Sequence, residues 1–486
     1  MKGVSVGKLM AERKSVKIAL VNPPPPLEAF VHYQNPLIGL AYMAAVLEKN
    51  GYEVTVVDCP PLNMTYEGLK RKILRLEPDI VGITSVTVTF SSAIQAARVI
   101  KESYPQTLIV LGGPHVTVMD EQTLSEQPEV DIVVRGEGEQ TMLELVDLTS
   151  KSNLKNLGEV AGITFRENGE IIRTQDRPFI QDLDELPYPA YKFFPLRRYR
   201  RFGKLILPII TSRGCSFNCS FCLAPRMAGK KFRARSPKNV VDELEMLRDV
   251  YEPDAFTFHD ETFTHDKKRV FKICEEMKNR NIGLPWDCST RVDQVSKDVL
   301  VKMRAAKCQL VSFGVESGSQ EILNAMRKGT TVSQNETAIM WAKDVGLSVA
   351  ISVIIGYPGE TMDTLEQTLD FIRRTEPDDV FMSLATPYPG IELYDLVKDL
   401  GWKMCEEWRY CDMQMPVFKN PYLSVDLRET RRRFYNHFYS ASYLLRQSFK
   451  GTFYSQIMAR TALNQLLWRI KLPKWVSAHF NKLTRR

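Results

Sequence analysis

The segment TSRGCSFNCSFC, residues 211–222, carries three cysteines at the spacing C-x3-C-x2-C, directly after an apolar run that predicts a strand. Cys215, Cys219 and Cys222 are close enough along the chain for their thiolates to converge on one cluster. Four cysteines would fully ligate a 4Fe-4S cluster, so three leave one iron open to an outside ligand. A zinc site would need a fourth ligand, and no further Cys or His lies nearby in sequence. The segment indicates an iron–sulfur cluster, with buried structural cysteines as the alternative.

The region around this segment, residues 205–400, alternates apolar strand patterns with helical ones. Six βα-type units predict a partial α/β barrel that is open on one side, with its chemistry at the carboxyl ends of the strands. Candidate polar residues follow those strands: Asp260, Glu261, Arg291, Glu316 and Glu360.

The preceding region, residues 14–150, contains five apolar strand patterns separated by amphipathic helices. Continuous apolar strands of this kind predict a doubly wound, Rossmann-like parallel sheet covered on both faces. Glycine-rich and polar loops follow its last three strands, at the edge where open α/β sheets bind ligands. Ordinary turn glycines are the alternative.

Residues 151–204 are expected to form a hairpin around Asn168-Gly169 and an ordered linker. Residues 401–486 are expected to form a helical C-terminal region.

Composition excludes several classes of protein. No N-terminal apolar segment resembles a signal peptide, and no apolar run reaches the ~18 residues needed to cross a bilayer. Nine cysteines among 486 residues are too few for a disulfide scaffold. We therefore expect a cytoplasmic enzyme.

Positive charge is concentrated at the C-terminal end. Residues 426–486 carry 13 Lys and Arg against Asp426 and Glu429, a balance of +11, so the remaining 425 residues sum to −4 within the overall +7. This distribution argues against a nucleic-acid-binding surface over the whole protein and favours one local basic surface.

The cysteine motif and its strand context resemble those of radical S-adenosylmethionine (radical SAM) enzymes, in the class with an N-terminal cobalamin-binding domain. The resemblance covers residues 14–400. It implies a 4Fe-4S cluster on the three cysteines and S-adenosylmethionine chelated to the open iron. Reduction by an external electron donor would then release methionine and a 5′-deoxyadenosyl radical.

Further positions are carried over from the superfamily pattern. Phe221 resembles the aromatic residue near the adenine, and Glu316 resembles the acidic residue that binds the ribose hydroxyls. Arg291 could pair with the S-adenosylmethionine carboxylate, since a guanidinium binds one bidentately. Ile355 and Gly356 resemble the fifth-strand segment whose backbone contacts the adenine edge. Ordinary barrel polarity is the alternative for each.

The N-terminal domain resembles cobalamin-binding domains less specifically. The D-x-H-x-x-G signature, whose histidine ligates cobalt, is absent, and His115 follows a GGP turn instead. The resemblance implies cobalamin without that axial histidine. The candidate contacts are Ser85, Thr87, Gly113, Gly136 and Glu137. A vestigial, empty domain is the alternative.

Other polar groups are ambiguous in the sequence. Asp260 and Glu261 could handle a proton or cap the next helix, and His259 is equally open. Cys405 and Cys411 could start a second cluster, although no third cysteine lies near them. We favour a structural role for this pair.

The C-terminal region combines its cations with 11 aromatic residues. Such a region could lie in a membrane interface, at the inner face of the membrane, with its cations against anionic headgroups. The alternative is a helical cap over the open side of the barrel. Binding to single-stranded nucleic acid is less favoured, because no appended RNA-binding domain is evident.

These features together favour a cobalamin-dependent radical SAM enzyme that forms a carbon–carbon bond at an unactivated carbon. C-methylation of a hydrophobic or lipid substrate is the preferred reaction, by resemblance to hopanoid C-methylases. The alternative is ring closure, as in archaeal tetraether ring synthases or the anaerobic magnesium-protoporphyrin monomethyl ester cyclase. A non-catalytic cobalamin or redox sensor and a tRNA-modifying enzyme are the rivals from other classes.

Overall fold

The computed structural model describes residues 16–26, 35–151 and 153–469, and these form two compact units. Unit 1 contains the described residues of 16–26, 37–180 and 185–195. Unit 2 contains residues 35–36, 181–184 and 196–469.

Unit 1 is built on a seven-stranded sheet with the order β2-β1-β3-β4-β5-β6-β7. The strands are β1 (Lys17–Asn22), β2 (Glu53–Asp58), β3 (Ile80–Thr84), β4 (Leu108–Gly112), β5 (Ile132–Val134), β6 (Ile163–Glu167) and β7 (Glu170–Arg173). The helices are α1 (Ile38–Lys49), α2 (Tyr66–Leu76), α3 (Phe90–Ser103), α4 (Pro114–Val118), α5 (Asp120–Glu126) and α6 (Glu139–Ser150).

The first five strands of unit 1 are parallel, and their residues explain why. Five of the six residues of β1 and four of the five of β3 are buried, as expected for strands covered on both faces. The register places Leu20 of β1 beside Val56 of β2 and Gly82 of β3. The predicted doubly wound sheet is confirmed.

A hairpin extends this sheet at one edge. β6 pairs antiparallel with β5, placing Phe165 opposite Ile132, and β7 pairs antiparallel with β6. Asn168 and Gly169, between the two strands, both have positive φ, 51° and 86°. Asn-Gly supplies the two left-handed positions of a tight type I′ hairpin turn at low cost.

Unit 2 is a half-open barrel of six parallel strands in the order β15-β14-β13-β12-β11-β8. Its strands, with a short antiparallel pair β9–β10, are β8 (Ile206–Ile209), β9 (Ser212–Arg213), β10 (Arg233–Ala234), β11 (Ala255–Phe258), β12 (Trp286–Thr290), β13 (Cys308–Glu316), β14 (Ser348–Ile355) and β15 (Asp379–Leu384). Its helices are α7 (Ala224–Met227), α8 (Pro237–Tyr251), α9 (Lys267–Asn279), α10 (Lys297–Ala305), α11 (Gln320–Ala325), α12 (Val332–Asp344), α13 (Met362–Thr375), α14 (Glu392–Asp399), α15 (Leu427–Phe438), α16 (Ala441–Lys450) and α17 (Phe453–Arg469).

The barrel strands alternate between packed and accessible side chains. In β13 and β14 the outward-packed residues are fully buried, whereas Ser312, Gly314, Ala350 and Ser352 remain accessible and line a cavity. Small inward side chains leave room inside the barrel instead of filling it with packed layers. The predicted α/β fold with a partial (β/α)6 barrel and a helical C-terminal region is confirmed.

The C-terminal helices pack against the barrel through tyrosines. The Tyr439 hydroxyl donates to Asp379 at 2.9 Å, Tyr443 to the Asp378 carbonyl at 2.7 Å, and Tyr454 to the Phe256 carbonyl at 3.0 Å. These contacts are those of a helical cap, which the sequence leaves open as the alternative to a membrane interface. Within residues 16–469, apart from the gaps noted above, no helix is long and apolar enough to cross a bilayer. The basic residues beyond 469 lie outside the described part of the chain.

We predict opposite effects on stability for alanine at two glycines of unit 1. Gly113 has φ of 107°, and a Cβ there would lie 2.4 Å from the Ser85 carbonyl oxygen, so Gly113→Ala should destabilise unit 1 by at least about 1–3 kcal/mol. Gly39 is helical with open space around its Cβ position, so Gly39→Ala should stabilise it by roughly 0.5–1 kcal/mol. Differential scanning calorimetry checks both; equal transition temperatures for the two variants would contradict the assignment.

Candidate active site

The three cysteines lie in a loop at the carboxyl end of the barrel. The loop leaves β9 and returns at β10, and these two strands pair with each other, so both of its ends are fixed. Cys215, Cys219 and Cys222 all line one cavity of about 470 Å³. The structure therefore brings the predicted ligands together on one wall.

The start of this loop depends on a close approach of two backbone segments. Gly214 has φ of 94°, and a Cβ at this position would lie 2.2 Å from the Lys231 carbonyl oxygen. The buried Asp260 carboxylate accepts hydrogen bonds from the Thr211 amide at 2.7 Å and from the Thr211 and Ser212 hydroxyls at 2.5 Å. Asp260 therefore orients the chain that leads into the cysteines.

Ser220, between the second and third cysteines, anchors the middle of the loop. Its amide and its hydroxyl both donate to the Met326 carbonyl, at 3.0 and 3.1 Å. The same hydroxyl lies 2.6 Å from the Tyr357 hydroxyl. Sequence reasoning missed this role, because the partners are more than 100 residues away and a lone serine gives no signal.

Arg291 joins the loop to the neighbouring strand ends. Its guanidinium forms a bidentate pair with Asp293 at 2.9 Å and donates to the Lys328 carbonyl at 2.7 Å. It also lies 3.6 Å from the centroid of the Phe217 ring and 3.6 Å from the Cys219 sulfur. Arg291 is thus in the cavity as expected, but held by Asp293. Its pairing with an S-adenosylmethionine carboxylate stays a prediction.

Glu316 and Lys328 form a buried ion pair in the same cavity. The Lys328 ammonium lies 2.8 Å from Oε1 of Glu316, and Ser352 donates to Oε2 at 3.4 Å. The ammonium also lies 6.0 Å from the centroid of the Phe221 ring. Phe221 and Glu316 were singled out from the sequence, whereas Lys328 was not. A KG dipeptide twelve residues after a strand end carries no distinctive pattern.

Burial and two neighbouring cations act in opposite directions on the pKa of Cys219. Burial raises the pKa of Cys219 and raises that of Cys222 to about 11, so these thiols stay protonated when nothing compensates their charge. Lys328 and Arg291 act in the opposite direction on the pKa of Cys219. Thiolates are the metal-binding form, so cluster binding requires these thiols to lose their protons. The two cations beside Cys219 favour that loss.

The donor set fits a cluster better than a single ion. Among the described residues, no three His, Cys, Asp or Glu side chains come close enough to share one metal ion. In a 4Fe-4S cluster each cysteine binds a different iron, so the sulfurs stand apart around a shared cavity. Three accessible cysteines of one anchored loop match this arrangement.

The predicted adenine-edge residues lie further from this cavity wall. Ile355 is fully buried, and its carbonyl accepts the Ala385 amide at 2.8 Å. The Gly356 amide donates to the buried Glu360 carboxylate, whose pKa burial raises to about 8. The residues of β14 that line the cavity are Ala350, Ile351 and Ser352. The structure places Ile355 and Gly356 just beyond them.

Four other candidates lie in three different locations. Glu261 lines the cysteine cavity, whereas His259 faces a second cavity deeper in the barrel. Cys405 and Cys411 pack in an apolar core around Tyr357, Val397 and Phe418. Their surroundings are those of small core side chains.

In unit 1, the loops after β3 and β4 meet closely. The Ser85 amide donates to the Gly112 carbonyl at 2.8 Å, and Gly113 packs directly on the Ser85 backbone. Ser85 and Thr87 are buried, and the Thr87 hydroxyl lies 3.2 Å from Nδ1 of His115. Ser85, Thr87 and Gly113 are therefore neighbours at the carboxyl edge of the sheet.

Gly136 and Glu137 follow β5 at the same edge. Gly136 has φ of 68°, and its Cβ position has open space around it. Such a glycine lets a large planar group approach the backbone. Glu137 instead accepts the Ile180 amide at 2.8 Å and holds the segment that follows β7 in place.

His115 is enclosed within unit 1 and 1% exposed, against Thr87 and 4.3 Å from the Phe90 ring centroid. An imidazole packed this way is not presented at the sheet edge as an axial metal ligand. The edge fits a cobalamin held by backbone and small side chains, without a histidine from this loop.

Comparisons with known proteins agree with both units. Residues 29–146 match the B12 binding domain, and residues 209–372 match the radical SAM superfamily. An uncharacterized methyltransferase from Pyrococcus horikoshii is 36% identical over 88% of this chain and 93% of its own length. The chain belongs to the radical SAM enzymes that carry a B12-binding domain. The cofactors of this family are a 4Fe-4S cluster, S-adenosylmethionine and cobalamin.

One further relative and one solved structure are similar to the chain. The anaerobic magnesium-protoporphyrin IX monomethyl ester cyclase of Rubrivivax gelatinosus is 35% identical over 75% of this chain and 66% of its own length. The methyltransferase TsrM of Kitasatospora setae, solved with cobalamin and a 4Fe-4S cluster, shares the fold with a TM-score of 0.68 and 18% identity. That match covers 80% of this chain and 78% of TsrM.

We predict that each motif cysteine is required for the cluster. Cys215→Ala, Cys219→Ala and Cys222→Ala should each lose most of the iron and sulfide after anaerobic reconstitution, because two thiolates cannot hold the cluster. Cys405→Ala, a cysteine of the apolar core, should retain it. Iron and sulfide analysis with electron paramagnetic resonance of the reduced protein checks this. Full iron content in Cys219→Ala would contradict the assignment.

We also predict that unit 1 loses stability in mild acid. Burial lowers the pKa of His115 to about 4, below its ordinary 6.5, so the unfolded chain binds this proton first as the pH falls. The stability is fully present above pH 6.5 and declines by roughly 3 kcal/mol as the pH approaches 4. Hydrogen-exchange mass spectrometry of β3 and β4 peptides, corrected for intrinsic rates, measures it. His115→Gln should lose this pH dependence; an unchanged slope would refute the cause.

Proposed function

We propose that the protein is a cobalamin-dependent radical SAM methyltransferase that forms a carbon–carbon bond at an unactivated carbon of a hydrophobic or lipid substrate. The observation that carries this proposal is the composition of the cysteine cavity. Its wall combines two aromatic residues of the cysteine loop with aromatic and small side chains of the strands: Phe217 and Phe221 from the loop, and Phe313, Ala350, Ile351 and Phe381 from the strands.

Phe381 is the most informative of these residues. It lies in β15, inside the barrel, and 48% of its surface is accessible. When an apolar ligand covers an accessible apolar ring, the buried surface contributes about 25 cal/mol of binding free energy for each Å². The wall therefore supports a substrate with a hydrophobic reacting portion.

The residues of the cavity have separate roles in the proposed reaction. When bound, the cluster and cobalamin supply radical generation and methyl transfer. Cys215, Cys219 and Cys222 hold the cluster, while Arg291 and Lys328 place positive charge beside it. Glu316, fixed by Lys328, presents carboxylate acceptors suited to hydroxyl groups. Two molecules of S-adenosylmethionine are used for each C–H replaced by C–CH3.

Ring closure is the second candidate function, because it requires the same cofactors and the same two units. The cyclase relative of 35% identity supports it. The share of each relative's length that this chain covers favours methylation, because it is 93% for the methyltransferase and 66% for the cyclase.

Contact with a membrane surface is a further part of the proposal. On α16, Leu445 and Phe449 are 58% and 86% exposed, one helical turn apart, with Arg446 beside them. Exposed apolar side chains next to a cation suit the interface of an anionic membrane. Such contact would bring the enzyme to a lipid substrate at the cytoplasmic face of the membrane.

We predict that the reconstituted enzyme makes both S-adenosylhomocysteine and 5′-deoxyadenosine from S-adenosylmethionine. The assay is anaerobic and contains cobalamin, reductant and a membrane lipid extract, with products identified by mass spectrometry. A lipid that gains one methylene mass establishes methylation. Phe381→Ser should lower turnover of that lipid at least several-fold, because it removes apolar contact.

Cys219→Ala is the control for this assay, and it should make no 5′-deoxyadenosine while still binding cobalamin. Deoxyadenosine without S-adenosylhomocysteine, together with a lipid that loses two hydrogens, would replace methylation by ring closure. Continued turnover by Cys219→Ala would reject both functions.

A further inference from the structure

A second cavity of about 300 Å³ lies inside the barrel of unit 2, toward the amino-terminal ends of the strands. We call it the lower chamber. Its barrel wall includes Thr257 of β11, Asp287 of β12, Leu310 of β13 and Asp379 of β15. The opposite end of a barrel normally serves stability, so a cavity of this size there needs an explanation. Its volume is at the lower end of the range of ordinary ligand pockets, about 300–1,000 Å³.

The C-terminal helices close the lower chamber with aromatic rings. Tyr439 of α15, Tyr443 of α16 and Tyr454 of α17 all line it, together with Met458. The chamber adjoins the cysteine cavity, because Asp379 lines both. The floor supplied by the tail is thus polar at the hydroxyls and aromatic at the ring faces.

Four hydroxyl protons of this wall are already used in hydrogen bonds within the protein. Tyr439 donates to Asp379, Tyr443 to the Asp378 carbonyl, and Tyr454 to the Phe256 carbonyl. Thr257 donates to Asp287 at 2.8 Å. A hydroxyl whose proton is engaged can only accept, so these groups offer lone pairs to the chamber.

Two carboxylates add to this acceptor surface. Asp379 uses Oδ1 for its hydrogen bonds from Tyr439 and from the Val380 amide, and Asp287 uses Oδ1 for the bond from Thr257. The Tyr454 hydroxyl also contacts the Asp287 carboxylate. The second oxygen of each carboxylate still has acceptor capacity. Burial raises the pKa of Asp287 to about 6 and also raises that of Asp379, which reflects the cost of their charge in this dry setting.

The cations of the wall have partners of their own. Lys204 pairs with Asp254 at 2.9 Å, and Arg201 donates to the Thr461 hydroxyl at 2.8 Å and stabilises the charge of Asp379. Burial lowers the pKa of His259, which favours its neutral form. The charge without a cationic partner in the chamber wall, among the described residues, is that of Asp287.

We propose that the lower chamber is a second ligand site, and that it binds a protonated amine. An ammonium group supplies three donors and a positive charge that can pair with Asp287. Tyrosine ring faces stabilise such a cation further. The proposal goes beyond the methyltransferase function and does not depend on it, since none of the residues named for the lower chamber is a cluster ligand.

The test measures binding of n-hexylamine, 1-hexanol and hexanoate to the full-length reconstituted protein by isothermal titration calorimetry at pH 7.5. These probes share one apolar chain and differ in the head group. Hexylamine should bind at least tenfold more tightly than hexanol, and hexanoate should not bind. Asp287→Asn and Asp379→Asn should each weaken hexylamine at least tenfold. Asp363→Asn, which changes an exposed carboxylate on α13, is the matched control and should leave the affinity unchanged.

A second variant guards against loss of folding. Ile457→Phe fills part of the chamber from α17 and keeps both carboxylates, so it should weaken hexylamine while the iron content stays at the level of the unaltered protein. Equal affinity for hexanol and hexylamine, tighter binding of hexanoate, or no binding of any probe at millimolar concentration would each overturn the proposal. The last result would make the chamber a water-filled cavity only.

Discussion

The guanidinium of Arg291 is the interaction on which the active-site architecture of unit 2 depends. It joins three segments that are distant in sequence: the end of β12 through Asp293, the loop after α11 through the Lys328 carbonyl, and the cysteine loop through Phe217 and Cys219. A planar, permanently charged group with five donors can make such contacts at once, whereas an ammonium cannot. Arg291 therefore ties the cysteines to the barrel, together with the hydrogen bonds of Asp260 and Ser220.

The same cation also governs the charge of the site. A dry cavity resists the formation of thiolates, and the raised pKa values of Cys219 and Cys222 express that resistance. Arg291 and Lys328 offset it from one side of the loop. Because Lys328 also holds Glu316, a single ion pair links the cluster side of the cavity to the carboxylate at the end of β13. The same few residues therefore hold the cysteine loop in place and balance its charge.

Much of the fold and part of the site follow from local sequence patterns. Apolar strands alternating with helices specified the parallel sheet and the barrel, and the cysteine spacing specified the cluster loop, because both are regular over short distances. Contacts such as Ser220 with Met326, or Asp260 with Thr211, join segments that no local pattern connects. The role of the tail could not be decided either. Its aromatic and basic composition suits a membrane and a cap equally, and only the tertiary contacts of its tyrosines reveal the cap.

The tail has one more consequence, which concerns the edge of the half-open barrel. β15 is an edge strand of the described sheet, and no other strand of the described residues pairs with its outer backbone groups. The Tyr435 hydroxyl donates to the Val380 carbonyl at 3.0 Å and accepts the Met382 amide at 2.9 Å, and Arg431 donates to the Met382 carbonyl at 2.8 Å. Two side chains of one helix thus imitate the hydrogen bonds of a seventh strand. An unpaired edge is a template for aggregation with other chains. The C-terminal helices therefore protect the β15 edge of this open barrel from pairing with strands of other chains.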